Sequence, residues 1–130
     1  MKKLFFISLI LINNIAFAEK TNSSVDNCIE EVNGLHIEIV GCIDVEIKKQ
    51  DKRLNTAYQN VMKYLANNRK EQLRKTQQIW INYRNANCDF YADPEGGTNA
   101  HLDAAYCVMD MTTQRAKELE DLSNLVKNTE

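Results

Sequence analysis

The sequence predicts an all-α fold, a small disulfide-stapled antiparallel bundle of about three helices. Three observations carry this. From Asp44 onward, apolar residues recur at threes, fours and sevens, the period of one helix face. No stretch alternates apolar and polar residues as a half-buried strand would, and no internal repeat or low-complexity tract is present. Four cysteines, Cys28, Cys42, Cys88 and Cys107, stand in a chain of 130 residues, enough to staple a small domain twice.

The N-terminus sets the expected compartment. Lys2 and Lys3 precede an apolar run from Leu4 to Ile12, and Ala16-Phe17-Ala18 offers the small residues that a signal peptidase reads. Residues 1–18 are therefore expected to be a signal peptide, and residues 19–130 one domain with a modest core. The apolar run is shorter than the roughly 20 residues a spanning helix needs. No cysteine stands just after the cleavage point, the first being Cys28, so no membrane anchor is expected after cleavage, and the expected location is periplasmic or secreted. Removing Lys2 and Lys3 from 16 basic residues leaves 14 against 18 acidic, a formal charge of −4. That balance disfavours nucleic acid and anionic membranes, and favours a cationic partner where the acids cluster.

In an exported chain the cysteines pair. They show no CxxC spacing, and His36 and His101 lie far apart, so neither a metal nor a cofactor is expected. Of three connectivities, Cys28 with Cys42 and Cys88 with Cys107 is favoured, because sequence neighbours close short loops on either side of a long helix. Each bridge would contribute about 3 kcal/mol in the chain-entropy account.

The first helix is read from Asp44, with Leu35, just after Gly34, as the alternative start. Its stripe is Ile47, Leu54, Tyr58, Val61 and Leu65, and "ANNRK" closes it near Asn67 and Asn68. A second helix is expected from about Arg69 to Tyr91, burying Leu73, Ile79, Trp80, Tyr83, Ala86 and Phe90 with Thr76 beneath them. Pro94 and Gly96-Gly97 then break the pattern. Thr98 or Asn99 is the expected cap of a third helix with the stripe Leu102, Ala105, Met109, Thr112, Ala116, Leu119 and Val126. A Cys88–Cys107 bridge would join these two helices at the base of their loop.

The runs "LNTAY" at Leu54 to Tyr58, "QQIWINYRNANC" at Gln77 to Cys88, "GGT" at Gly96 to Thr98, and "TTQRAKEL" at Thr112 to Leu119 resemble the LprI-type lysozyme inhibitor family. The resemblance extends from about Cys28 to Leu122. It implies an exported, disulfide-stapled helical domain that binds a lysozyme-type muramidase, and it marks Leu54, Tyr58, Gln77, Trp80, Tyr83, Arg84, Thr112, Arg115, Glu118 and Leu119 as the structural motif. This chain lacks the lipoprotein cysteine of the inhibitor that names the family, so membrane anchoring does not transfer.

Gln77, Trp80, Arg84 and Cys88 are spaced by three, four and four and share one helical face. The preferred reading is structural. Trp80 crosses the bundle against Leu54, Tyr58 and Thr112, Arg84 stacks on an aromatic ring or pairs with Glu118, and Cys88 is locked to Cys107. The competing reading makes Trp80 and Arg84 an exposed anchor. Partner binding is instead expected at the loop Asp93 to His101, through Asp93, Glu95, Gly96, Gly97 and Thr98, because a bridge at its base preorganises it. Tyr91 and Tyr106 flank that bridge and are expected to pack on it, whereas His36 and His101 read as surface residues. No HExxH, GxSxG or phosphate loop occurs, so an enzyme is not expected. The leading function is occlusion of a lysozyme-like muramidase; the alternative is an envelope immunity or adaptor protein that binds another partner.

Overall fold

The computed structural model describes residues 23–33 and 35–128. The expected signal peptide lies outside the described residues. Among the described residues four helices follow in order: α1 Ser23–Glu31, α2 His36–Tyr64, α3 Asn67–Tyr91 and α4 Gly97–Lys127. No strand occurs among the described residues. The all-α bundle stands as expected, and it carries both bridges, Cys28–Cys42 and Cys88–Cys107.

Two features of the sequence reading need correction here. The N-terminal arm holds a fourth helix, α1, of only nine residues, with Val25, Cys28 and Ile29 on one face; it gains its stability by docking on α2 through the Cys28–Cys42 bridge and a buried Val25. Helix α2 starts at His36, capped by Leu35, so the alternative start near Leu35 holds and not the one at Asp44, and Cys42 lies on its second turn.

Helix α4 is the centre of the bundle. It packs along α2 and against α3, α1 packs on α2, and no comparable contact joins α2 directly to α3. Only Leu65 and Ala66, both extended, separate α2 from α3. The core forms two clusters. Leu54, Ala57, Val61, Leu73, Ala116 and Leu119 fill the end near this turn, with Tyr58 and Trp80 packed on them. Val25, Ile43 and Met109 fill the disulfide end, with Ile47, Leu102 and Tyr106 against them. Tyr106 is thus a core residue, whereas Tyr91 is exposed, its ring edge-on to Phe90.

Polar residues occupy several core positions, and they explain the gaps in the apolar stripes. The step of seven between Ile47 and Leu54 is filled by Gln50, and Glu46 lies one turn earlier; both are buried. Ser24 Oγ donates to Glu46 Oε2 at 2.7 Å and Gln50 Nε2 donates to Glu46 Oε1 at 2.6 Å. Arg53 continues the ladder, donating to Gln50 Oε1 at 3.1 Å and gripping both carboxylate oxygens of Glu120 at 2.6 and 2.5 Å. The ladder ties α1, α2 and α4 together.

Burial alone pushes the Glu46 carboxyl up. Hydrogen bonds from Gln50, Ser24 and Lys49, with the Lys49 charge, outweigh it and hold the pKa below its ordinary value of 4.5. A depressed carboxyl contributes stability that is present above its unfolded pKa and is lost as pH falls through the folded one. Glu46→Gln is therefore expected to reduce the loss of stability below about pH 4.5. Urea midpoints of both proteins across the acid range check this, and equal acid slopes would contradict it.

The expected stripe of α3 is the third correction. Leu73 is buried, but Thr76, Ile79, Tyr83, Ala86 and Phe90 are exposed. The inward face carries Leu73, Gln77, Trp80, Arg84 and Cys88 instead. Hydropathy ranks isoleucine and phenylalanine above glutamine and arginine, whereas the bundle seats α3 through an amide, an indole, a guanidinium and a disulfide.

Candidate partner-binding site

The motif residues meet where α2, α3 and α4 converge. Trp80 is half-buried against the first core cluster. The Arg84 guanidinium carbon lies 5.2 Å and that of Arg115 5.9 Å from the centroid of its ring. Arg84 donates to Thr112 Oγ1 at 3.1 Å and approaches Asp51 at 3.5 Å. Thr112 is fully buried and donates in turn to the Val108 carbonyl at 2.6 Å. Arg115 donates to Gln77 Oε1 at 3.0 Å and to Glu118 at 2.8 Å. Arg84 therefore stacks on the ring, as one of the two expected arrangements has it, while Glu118 takes Arg115 from its own helix and not Arg84. Both arginines give only donors, so the Gln77 oxygen must face Arg115, and its buried Nε2 has no hydrogen-bond partner.

Beside this network a cleft of about 370 Å³ opens between α2 and α3, lined by Asp51, Tyr58, Arg74, Gln77, Trp80 and Arg84 among others. Both helices pack mainly on α4 and little on each other, which leaves this side open. The side chains of Leu54 and Leu119 are buried in the cluster below, whereas Tyr83 faces outward and takes no part.

The connection between α3 and α4 is shorter than the sequence suggests. Helix α4 begins at Gly97, so Thr98 to His101 are helical and the irregular segment is 92–96. Gly96 is the N-cap and no side chain caps the helix, so neither Thr98 nor Asn99 fills that role. Asp93 shapes the turn: its Oδ1 accepts from the Glu95 amide at 2.9 Å, and its carbonyl accepts from Gly96 at 3.0 Å. Two ties hold the segment. Cys88–Cys107 bridges its flanks, with Asn87 Nδ2 3.4 Å from both Cys107 Sγ and Met111 Sδ, and His36 Nε2 lies 2.7 Å from the Thr98 carbonyl. Asp93, Glu95, Gly96, Gly97 and Thr98 are all exposed.

Both glycines are required by shape. Gly97 has φ +64°, a region that L residues enter at a cost, and a Cβ on Gly96 would sit 2.8 Å from that of Ala100. Gly96→Ala and Gly97→Ala are each expected to destabilise by about 1 kcal/mol. Denaturant midpoints check this; unchanged values would show that the turn relaxes freely.

Among the described residues no group of three or more His, Cys, Asp or Glu is placed to hold a metal ion. No described helix is long and apolar enough to cross a membrane. The family described as "Lysozyme inhibitor LprI" matches residues 28–119. A protein of Rhizobium meliloti (strain 1021), described as uncharacterized protein R02472, is 25% identical over 116 residues, covering 78% of this chain and 82% of its own length. No solved structure matches. The family is one of inhibitors rather than catalysts, and with two disulfides it fits an extracytoplasmic protein. The matched region holds both bridges, the Trp80 network and most of the four-helix core, and the chain belongs to the LprI lysozyme inhibitor family.

Proposed function

We propose that this protein is an exported lysozyme-inhibitor-like binding protein that occludes a cell-wall muramidase in the periplasm or outside the cell, without chemistry of its own. Residues 1–18 serve as its signal peptide and residues 19–130 act as one unit. The family match over residues 28–119 carries the reading. The turn at Asp93, Glu95, Gly96, Gly97 and Thr98 is the proposed contact: it is exposed and acidic, and it is held from both sides by the Cys88–Cys107 bridge and His36. Lysozymes are commonly cationic and work with two carboxyl groups in a cleft, so an acidic, preorganised turn can steer encounter and block access.

Exposed rim charges act mainly on the association rate and are screened by salt. Asp93→Asn with Glu95→Gln is expected to slow association with a cationic lysozyme at low ionic strength and to matter less at high, with little change in stability. Surface-based kinetics at two salt concentrations test this. An association rate insensitive to both substitutions at low salt would remove the turn from the contact.

A further inference from the structure

Helix α3 carries a second apolar face that nothing among the described residues covers. Ile79, Tyr83, Ala86 and Phe90 step by four, three and four, so they lie in one row of about 16 Å along the helix. Ile79 is 68%, Tyr83 59% and Phe90 82% exposed. This row has the spacing of a core stripe, yet the core of the bundle is reached from the opposite side, through Leu73, Gln77, Trp80, Arg84 and Cys88. A helix with two apolar faces has two partners to meet. One is α4.

The distribution of charge states the chemistry of the other. Between Arg84 and Arg115 the chain holds five carboxylates and no lysine or arginine, and from Ser23 to Ile47 it holds six and again none. The antiparallel course of α2 and α3, and the pairing of Cys88 with Cys107, bring both segments to the disulfide end of the bundle. Ten of these eleven carboxylates belong to exposed residues, Glu46 being the buried one. Only Asp44 and Glu46 among them stand within salt-bridge distance of a lysine or arginine in the described structure. The row on α3 runs into this acidic end, where Phe90 stands beside Asp89 and three residues before Asp93.

We infer that the outer face of α3, from Ile79 to Phe90, is the apolar centre of a docking surface for a cationic protein, whose basic groups engage the acidic disulfide end around it. This rests on the proposed lysozyme-type partner and adds where that partner sits: apolar side chains at the centre supply the hold, and the surrounding carboxylates supply steering and orientation. A second copy of this chain is the poorer occupant. A row of four side chains falls well short of the roughly 1,200 Å² of total buried surface that a lasting pair needs, whereas a cationic partner can extend onto the acidic end.

The test uses the full chain expressed for export and purified, with a double variant Tyr83→Ser/Phe90→Ser and the single variant Ile79→Ser. The probes are a cationic lysozyme and the same lysozyme with its lysines acetylated. Thermal unfolding of the variants is expected to match the wild type, because these side chains lie outside the core. Dissociation from the cationic lysozyme should be at least about tenfold faster for the double variant, and acetylation should slow association of the wild type. Wild-type binding that both variants retain unchanged overturns the surface and leaves the inhibitor reading standing. Failure of the wild type to bind removes that reading, and this inference with it. Sedimentation that shows a wild-type dimer dissolved by the variants also overturns it, since the occupant is then a second copy.

Discussion

Trp80→Ala is expected to destabilise the protein by about 3 kcal/mol. The indole packs on the Leu54–Leu119 cluster with one side and lines the cleft with the other, and its removal strips that cover from the cluster. It also strips the ring from two guanidiniums. The Arg84 and Arg115 side chains retain only 16% and 14% of their exposure, so each depends on its neighbours to replace lost water. Arg84 keeps Thr112 and Asp51, and Arg115 keeps Gln77 and Glu118, which limits the damage to the packing and the lost ring contacts. Trp80→Phe should recover part of the loss. Urea midpoints decide the matter: an unmoved midpoint with lost partner binding would make Trp80 an interface anchor after all.

Removing the Cys88–Cys107 bridge by the paired change Cys88→Ala/Cys107→Ala is expected to cost about 3 kcal/mol, from the loop closed over a sequence separation of 19. The cost has a local aspect. This bridge joins α3 to α4 at the end where the connecting segment 92–96 leaves the bundle, and Met111 Sδ lies 3.7 and 3.9 Å from its two sulfurs. Without it, the first turns of α4 retain the Ile43–Met109 contacts and the His36–Thr98 tie. The variant should therefore remain folded at moderate temperature while its amides near 92–100 exchange faster. Hydrogen exchange separates this from global loosening. Uniform acceleration across all four helices would show that the bridge stabilises the whole bundle and not this end.

The sequence makes the α4 stripe fully legible, because Met109, Thr112, Ala116 and Leu119 bury one face and the pattern has no competitor. It makes α3 legible as a helix but ambiguous in orientation. Two rows coexist there, and apolar periodicity selects Ile79, Tyr83 and Phe90, the row that the bundle leaves outside. The spacing of Gln77, Trp80, Arg84 and Cys88 points to the correct face, because a cysteine that must reach Cys107 fixes which side of α3 turns inward. Helix α1 escapes detection because its nine residues are too few for Val25, Cys28 and Ile29 to stand out as a stripe, and its order comes from α2. The early start of α2 is obscured by Gly41 and by a stripe interrupted by buried Glu46 and Gln50, whose partners Ser24 and Arg53 are only apparent in three dimensions. At the acidic turn, the residues are readable but their extent is not, because Gly97 at positive φ lets the helix start immediately after Gly96.

The central claim is that this exported helical protein binds and occludes a lysozyme. Its most direct test is a titration of the purified chain into suspensions of cell walls undergoing lysis by lysozymes of several types, with the recovered inhibitor examined for intact mass. The account predicts a stoichiometric fall in the lysis rate for at least one type, with neither protein cleaved. Lysis by every type that continues unchanged at micromolar excess of the chain would contradict it, and would leave an envelope adaptor with a different partner as the better description.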